Sequence, residues 1–535
     1  MLAQRPMSLA NATQVVNRAS SDQADRTLHD LINAQSSWFM SEDGRAPVEV
    51  NSAEIDFSVT HGRTIFSCWT EKGSRAWRVN SWNWTGEKLA LRASRRMGAE
   101  VTTIELVPRA SVKAIVAGIA AARQLRCERV AQLVAANLDH DFSAEDHRRS
   151  TPPAKIERAV LSPGMRRDQP GRYARIILRL PHERVAVTAT VAQSDARNID
   201  SLFSSALLWL RRVQASPRRP PIFRLLVVVE RSILEAARQR HVLLRDSFRE
   251  RIELFEIADD WQKVERTAPW ERKYIWRKRL ARFPPVNEDP VSDRVREIEA
   301  LAPAAIDVVA SRHGQTLRYY GLPFARVRRV MDRDRFWFGI EGSQRRSLDD
   351  YHQRDWTKLL RDLQTYRSES CRDRKHWFYR AAGEAWLESI LRRDITRLDP
   401  GLIVAPLHAQ FRTSHGGPTG ARPIDLLALR HDGRLVVIEL KISEDREHVF
   451  QGVDYWRRVE AHRRRGHISG ARLFEDREIS DESPLVYLVA PALRFHPSFS
   501  TLAKMIAPDI EIYRFDINED WRGGVRVVRR ERLNP

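Results

Sequence analysis

Cysteine and lysine are scarce in this chain. Three cysteines, Cys68, Cys127 and Cys371, lie far apart among 535 residues, and no Cys-x-x-Cys pair occurs. That spacing excludes a disulfide framework and a structural zinc site, and it points to a reducing compartment. Long apolar runs are missing as well: the longest, "AIVAGIAA" at 114–121, falls far short of a bilayer span. The opening "MLAQRPMSLANATQVV" lacks a basic-then-apolar signal pattern, so a soluble, cytoplasmic protein with no membrane partner is expected. Lysine supplies only 11 of the 90 basic residues, leaving 79 arginines.

Basic charge, by contrast, is abundant. The net charge is +20 and the pI about 10.3. A field of that sign attracts polyanions, and DNA is the first partner to consider. An Arg- and Ala-rich composition can also follow from genome composition, so charge alone does not decide the matter. Hydrophobic residues make up 42% and there are 15 tryptophans, enough for several buried cores rather than a disordered chain.

Residues 1–45 are polar with weak periodicity and read as a flexible leader. Residues 46–138 read as an antiparallel β-meander followed by an Ala-rich helix at about 111–137. Its Trp69, Trp77, Trp82 and Trp84 are expected in the core rather than stacked on bases. Residues 140–170 are charged and proline-containing, as in a linker. The run "YARIILRL", "RVAVTATV", "SLFSSALLWLRRV", "FRLLVVVE", a helix near 232–248 and "IELFEI" predicts a β-β-α-β-α-β domain over 170–262. Residues 263–375 predict a connector, with charged helices at about 292–311 and 347–367 around a hairpin.

The chemistry gathers in 376–535. There "GEAWLESIL", "LHAQFR", "PIDLLAL", "LVVIELKI", "HVFQGVDYWRRVEAH", "LVYLVAP" and "IEIYRF" predict a mixed α/β sheet in the order αβββαβαβ. Residues i and i+2 of a strand share a face, so Glu439 and Lys441 point the same way. The turn "RHDGR" folds the preceding strand back, which brings Asp425 beside Glu439. Two buried carboxylates repel unless a cation lies between them, and hard oxygen ligands suit Mg²⁺ or Mn²⁺. Lys441 is the only lysine between Lys375 and Lys504. Unlike arginine, a lysine can change its protonation state and act on water. An ordinary Glu–Lys strand pair is the plainer alternative. Gln451 and Tyr455, four apart on the next helix, and Glu384 and Glu388, four apart on an earlier one, can extend toward the same place.

The pattern "PID…VVIELK…Q…Y" resembles the PD-(D/E)XK nuclease superfamily and is most similar to its NucS-like endonuclease branch, over about 384–455. The resemblance implies a restriction-endonuclease-like αβββαβ core and Mg²⁺ (or Mn²⁺) held by Asp425 and Glu439 with Glu384, Glu388 being the second choice. It also implies Lys441 serving the attacking water, and Gln451 and Tyr455 supporting the site or the substrate. Hydrolysis of DNA phosphodiesters is thus the expected activity. A catalytically silent nucleic-acid-binding or assembly protein and an RNA-directed nuclease are the alternatives, and a homodimer stays open. The "SHGGPTG" loop, with His415, could touch a DNA backbone or be a plain loop. "HRRRGH" at 462–467 could contact phosphates or form a solvated helix end.

The domain at 170–262 echoes this one. "FSSALLWLRRV" parallels "FQGVDYWRRV", with Phe203 and Trp209 matching Phe450 and Trp456. "HERVAVTAT" aligns with "HDGRLVVIELK", which sets Thr188 opposite Glu439 and Thr190 opposite Lys441. This segment is expected to be a degenerate nuclease-like copy without metal ligands, serving as a DNA-holding surface or an internal dimer partner.

Overall fold

The computed structural model describes residues 13–534 except 18, 36, 43–46, 71–72, 96–100, 109–111, 146–152, 165–168, 193–197, 217–219, 259–260, 277–279, 281–291, 312–313, 331–332, 341–345 and 412–423. The chain divides into two compact units, with the main boundary between Ala121 and Ala122. No helix among the described residues is long and apolar enough to cross a membrane.

The first unit is built on an antiparallel sheet. Five strands between Ile55 and Pro108 form the expected meander. Gln14–Val15, Ser37–Glu42 and Val48–Asn51 join it, so the segment 1–45 is no loose leader where it is described. The helix Ser21–Asn33 buries Ala24, Leu28 and Ile32, each four residues from the next, so one stripe lies on the sheet. A polar outer face had masked that narrow stripe in the composition. Trp77 and Trp82 are buried with Phe57 and Phe66 as expected, Trp84 packs against them partly buried, the side chain of Trp69 lies outside the described residues, and Trp38 joins the same core. The Ala-rich helix spans Val112–Glu145, longer than expected at its C-terminal end.

The second unit contains two six-stranded sheets. One consists of β1 (Lys155–Leu161), β2 (Tyr173–Arg179), β3 (Arg184–Thr190), β4 (Ile222–Glu230), β5 (Ile252–Ile257) and β6 (Val264–Arg266). The other consists of β7 (Leu402–Phe411), β8 (Ile424–Arg430), β9 (Leu435–Leu440), β10 (Leu485–Pro491), β11 (Ile512–Ile517) and β12 (Val527–Arg532). In both, the spatial order follows the chain order. In both, the first three strands pair antiparallel, the next two pairings are parallel and the last is antiparallel. Helices α1 (Ile199–Gln214) and α2 (Arg231–His241) make the crossovers of the first sheet. The second sheet is preceded by α3 (Gly383–Arg393), and α4 (His448–Arg463) and α5 (Phe499–Ala503) lie in its crossovers. The strand "RVAVTAT" and the strand "LVVIEL" hold the same place in the two sheets.

Equivalent elements of the two sheets meet in one apolar core. Phe203 of α1 faces Phe450 of α4, with ring centroids 6.0 Å apart. The segments after α2 and α5 bridge antiparallel at Leu244 and Ile506. Arg245 N–H donates to Met505 O at 2.8 Å, and Ala507 N–H donates to Leu243 O at 3.0 Å. Such reciprocal contacts are those of a symmetric dimer, here within one chain. Buried charge reinforces the seam: Arg240 of α2 meets Asp200 at 2.6 Å and Asp454 of α4 at 2.5 Å. Asp454 also meets Arg457 at 2.7 Å and pairs with Arg458. Gly452 makes the close packing of α4 on its sheet feasible, because a Cβ there would come within 2.5 Å of the Leu488 side chain.

Two expected boundaries are corrected. The linker at 140–170 contains β1, an edge strand whose largely exposed side chains leave little periodicity to read. The connector at 263–375 contains β6 and, between the helices Asp293–Ala300 and Gln353–Tyr366, a five-stranded antiparallel sheet over Ile306–Ser347 rather than a hairpin. The expected helix at 292–311 ends at Ala300 because Pro303 cannot continue it and Ile306, Val308 and Val309 favour the strand.

Candidate active site

The site forms where β8, β9, α3 and α4 come together. β8 and β9 pair with Leu426 opposite Ile438, so one further step sets Asp425 opposite Glu439. Even-numbered residues of these strands pack toward α3, and Leu427 and Val437 pack toward α4. Asp425, Glu439 and Lys441 share the α4 face by the period of two. Asp425 accepts the Leu440 N–H at 2.8 Å, which ties its carboxylate across the strand gap. Lys441 N–H donates to Val489 O at 3.0 Å, so strand geometry runs on through the lysine.

Electrostatics make the cluster strained without a cation. Glu439 is buried, its Oε1 bonds Lys441 Nζ at 2.8 Å, and its Oε2 has no hydrogen-bond donor. Burial, and after it the charge of Asp425, push the Glu439 carboxyl well above the usual range. Burial raises the partly exposed Asp425 as well, against the pull of Lys441 and the Leu440 N–H. Burial alone would lower the Lys441 ammonium, but Glu439 and Glu384 outweigh it and raise its pKa. In this state Lys441 is a proton donor, not a base.

Helix α3 delivers both glutamates. Glu384 Oε1 lies 3.9 Å from Lys441 Nζ and remains partly exposed. Glu388 is buried; burial and then the nearby Asp425 push its carboxyl up to about 7, against Arg318 and Arg392. The two choices therefore flank opposite ends of the pair, Glu384 at the lysine and Glu388 at Asp425. The helix start is held by the buried Arg367, which donates to Phe378 O and Ala381 O at 2.8 and 2.7 Å and lies 4.7 Å from the Trp386 ring centroid. Gly383 lets the helix approach β9's continuation, since a Cβ there would collide with Ile442 Cδ1.

Helix α4 closes the other side. Gln451 is buried; its Nε2 reaches Glu447 Oε2 at 3.4 Å, while its Oε1 has no donor. Burial, then the charges of Glu439 and Asp425, push the Tyr455 phenol up, so it stays a neutral hydrogen-bond donor. His448 escaped sequence reasoning. Its Nε2 lies 3.2 Å from Glu439 O, and burial and then Lys441 push its pKa down to about 3. The neutral ring therefore carries its proton on Nε2 and anchors the backbone of Glu439. Asp445, also not anticipated, lies 3.9 Å from Lys441 Nζ, four residues along the chain.

The buried Glu439 carboxylate, the half-buried Asp425 carboxylate across from it, and two buried oxygens without donors, Glu439 Oε2 and Gln451 Oε1, fit a hard divalent cation such as Mg²⁺ or Mn²⁺. Among the described residues no three His, Cys, Asp or Glu side chains converge closely enough to hold an ion as a group, so the fit rests on the Asp425–Glu439 pair. The "SHGGPTG" loop with His415 lies outside the described residues. In "HRRRGH" the helix ends at Arg463; Arg463 and Arg464 bind the buried Glu460 at 2.7 and 2.6 Å and His462 is buried against His467, while Arg464 and Gly466 are exposed. No protein-family model and no curated protein matches this chain.

Proposed function

We propose that the protein is a Mg²⁺- or Mn²⁺-dependent endonuclease that hydrolyses DNA phosphodiesters at Asp425, Glu439 and Lys441. The observation that carries this reading is the Glu439 carboxylate, buried beside Asp425 with one oxygen on Lys441 and the other without a donor. A structural ion pair would have no use for the second acid. A bound divalent cation supplies Lewis-acid stabilisation of the charge that builds on the phosphate. Asp425 and Glu439 would hold it, with Glu384 beside Lys441 and Glu388 beside Asp425 adding negative charge to the wall. Lys441 orients the attacking water and faces the developing negative charge. It can accept a proton only once the neighbouring carboxylates are neutralised. Gln451 Oε1 accepts from that water or from the substrate, and the Tyr455 hydroxyl donates within the same wall. In the reaction the water oxygen bonds to phosphorus, one phosphorus–oxygen ester bond breaks, and the leaving oxygen takes a proton.

The test is purified protein with Mg²⁺ or Mn²⁺ and a panel of linear, nicked, mismatched and branched DNA. Wild type is expected to cleave at least one member, and Lys441→Ala to lose about a hundredfold or more in rate. Equal cleavage by Lys441→Ala, or none by wild type, overturns the proposal. Cleavage confined to an RNA arm of the panel moves the reading to a ribonuclease.

A further inference from the structure

The first six-stranded sheet keeps the architecture of the candidate site and inverts its charge. β2 and β3 pair with Arg175 opposite Thr188. The hairpins match when Thr188 is set on Glu439, and Arg175 then stands where Asp425 stands. The faces agree too: Ile177 and Ala186 pack toward α1 as Leu427 and Val437 pack toward α4. Arg175 is held upright on this face, its Nη2 3.4 Å from Ser205 Oγ and its guanidinium 5.9 Å from the Trp209 ring centroid. Arg158 on β1 pairs with Ile177, two residues from Arg175 and on the same face. Arg212 of α1 follows Ser205 and Trp209 on one helix stripe, and Arg446, just before α4, meets α1 through its carbonyl on Ser204 while its Nε donates to His496 Nε2 at 3.0 Å. Burial, and then the charges of Arg212, Arg446 and Arg158, lower the Arg175 pKa.

Arginines elsewhere in this chain are widely consumed in ion pairs. Among the described residues, none of Arg158, Arg175 and Arg212 makes one. Three guanidiniums without an ion-paired carboxylate, with Arg446 as a fourth positive charge beside them, are stabilised by a bound polyanion or by solvent. The two faces are neighbours. Ser204 Oγ donates to Arg446 O at 3.2 Å, and Glu447, next along the chain, accepts from Gln451 of the candidate site.

We propose that Arg175, Arg158, Arg212 and Arg446 form a second DNA site, which grips the sugar–phosphate backbone beside the stretch presented to Asp425 and Glu439. The proposal deepens the nuclease reading and rests on it for the role of the neighbouring site, but the arginine cluster stands on its own geometry. One copy of the fold holds the substrate and the other cuts it.

The test is anisotropy of a labelled DNA duplex with the full chain in EDTA, where no cleavage occurs, over a range of salt. Arg158→Ala/Arg212→Ala removes two exposed side chains, and Arg175→Gln keeps a polar group on the sheet. The double variant is expected to bind about tenfold more weakly and to lose about two from the slope of log affinity against log salt. Arg249→Ala/Arg296→Ala, which removes the same charge from ion-paired surface positions, is expected to stay near wild type. Wild-type affinity and slope in the cluster variants, or an equal loss in the control, overturns the proposal. If wild type cleaves nothing while the cluster variants lose binding, the nuclease reading falls and the second site stands. If wild type cleaves while the cluster variants bind normally, only the second site falls.

Discussion

At the scale of single residues, the site is defined by charges that the fold leaves uncompensated. Glu439→Gln removes the buried member of a pair of like charges while keeping the shape. In EDTA this variant is expected to be more stable than wild type by about 1 kcal/mol or more. Wild type should gain about 2.7 kcal/mol with Mg²⁺ at a hundred times its dissociation constant, and the variant should gain far less. Paired thermal melts with and without Mg²⁺ check both. His448 offers a separate handle. Its pKa falls from 6.5 unfolded to about 3 folded, so below pH 6.5 the unfolded chain binds a proton that the folded one refuses. Its contribution to stability is therefore full above 6.5 and lost as pH falls, at about 1.4 kcal/mol per unit. His448→Gln keeps an N–H donor without the titration. Denaturant midpoints between about pH 5 and 7 should fall less steeply with acid in the variant than in wild type. Parallel curves would show that His448 is not the group responsible.

At the scale of elements, the seam between α1 and α4 is the joint that positions the candidate site. Phe203 and Phe450 are both buried there and face each other. Phe203→Ala and Phe450→Ala are each expected to cost about 3–5 kcal/mol, and the double variant less than their sum by about 0.5–3 kcal/mol. Additive losses in a double-mutant cycle would mean that the rings do not share one core. The Phe203→Ala variant tests the joint further. Phe203 lies outside the candidate site, so at a temperature where the variant remains folded, altered DNA cleavage would show that the seam sets the geometry of α4.

At the scale of the whole molecule, two sheets of the same strand order share one core, but where the second sets Asp425 opposite Glu439 the first sets Arg175 opposite Thr188. A symmetric dimer with two such sites could cut both strands in one encounter; this chain offers one site per pair of sheets. Under the proposed function, a supercoiled plasmid is therefore expected to open to nicked circles first, with linear product only after a second, independent cut. A gel time course in which linear product appears without a nicked precursor would contradict this. The same asymmetry is consistent with a basic chain: the first sheet carries Arg175 where the second carries Asp425.

The sequence alone determined the centre of the candidate site. The alternation of "LVVIELKI", the short turn "RHDGR" and the period of a strand suffice to put Asp425, Glu439 and Lys441 on one face, because each depends only on neighbours in the chain or across a hairpin. The succession of the four central strands of the first sheet and the first five of the second was legible for the same reason, unlike the edge strands Lys155–Leu161, Val264–Arg266 and Val527–Arg532. Residues whose roles depend on distant partners were not. Glu384 and Glu388 have nearly the same local pattern, and only the packing of α3 against β8 and β9 assigns them to different ends of the pair. His448 became an anchor because the fold buries it against Glu439 O, which no spacing announces. The strand at Lys155–Leu161 was hidden because an edge strand with mostly exposed side chains buries too little to impose a period. Whether the echo of two sequences meant two neighbours or two separate domains was decided by the tertiary structure. The contacts of Phe203 with Phe450 and of Leu244 with Ile506 join residues about 250 apart in the chain, and so distant a pairing is chosen by the burial of a shared apolar surface, not by local preference.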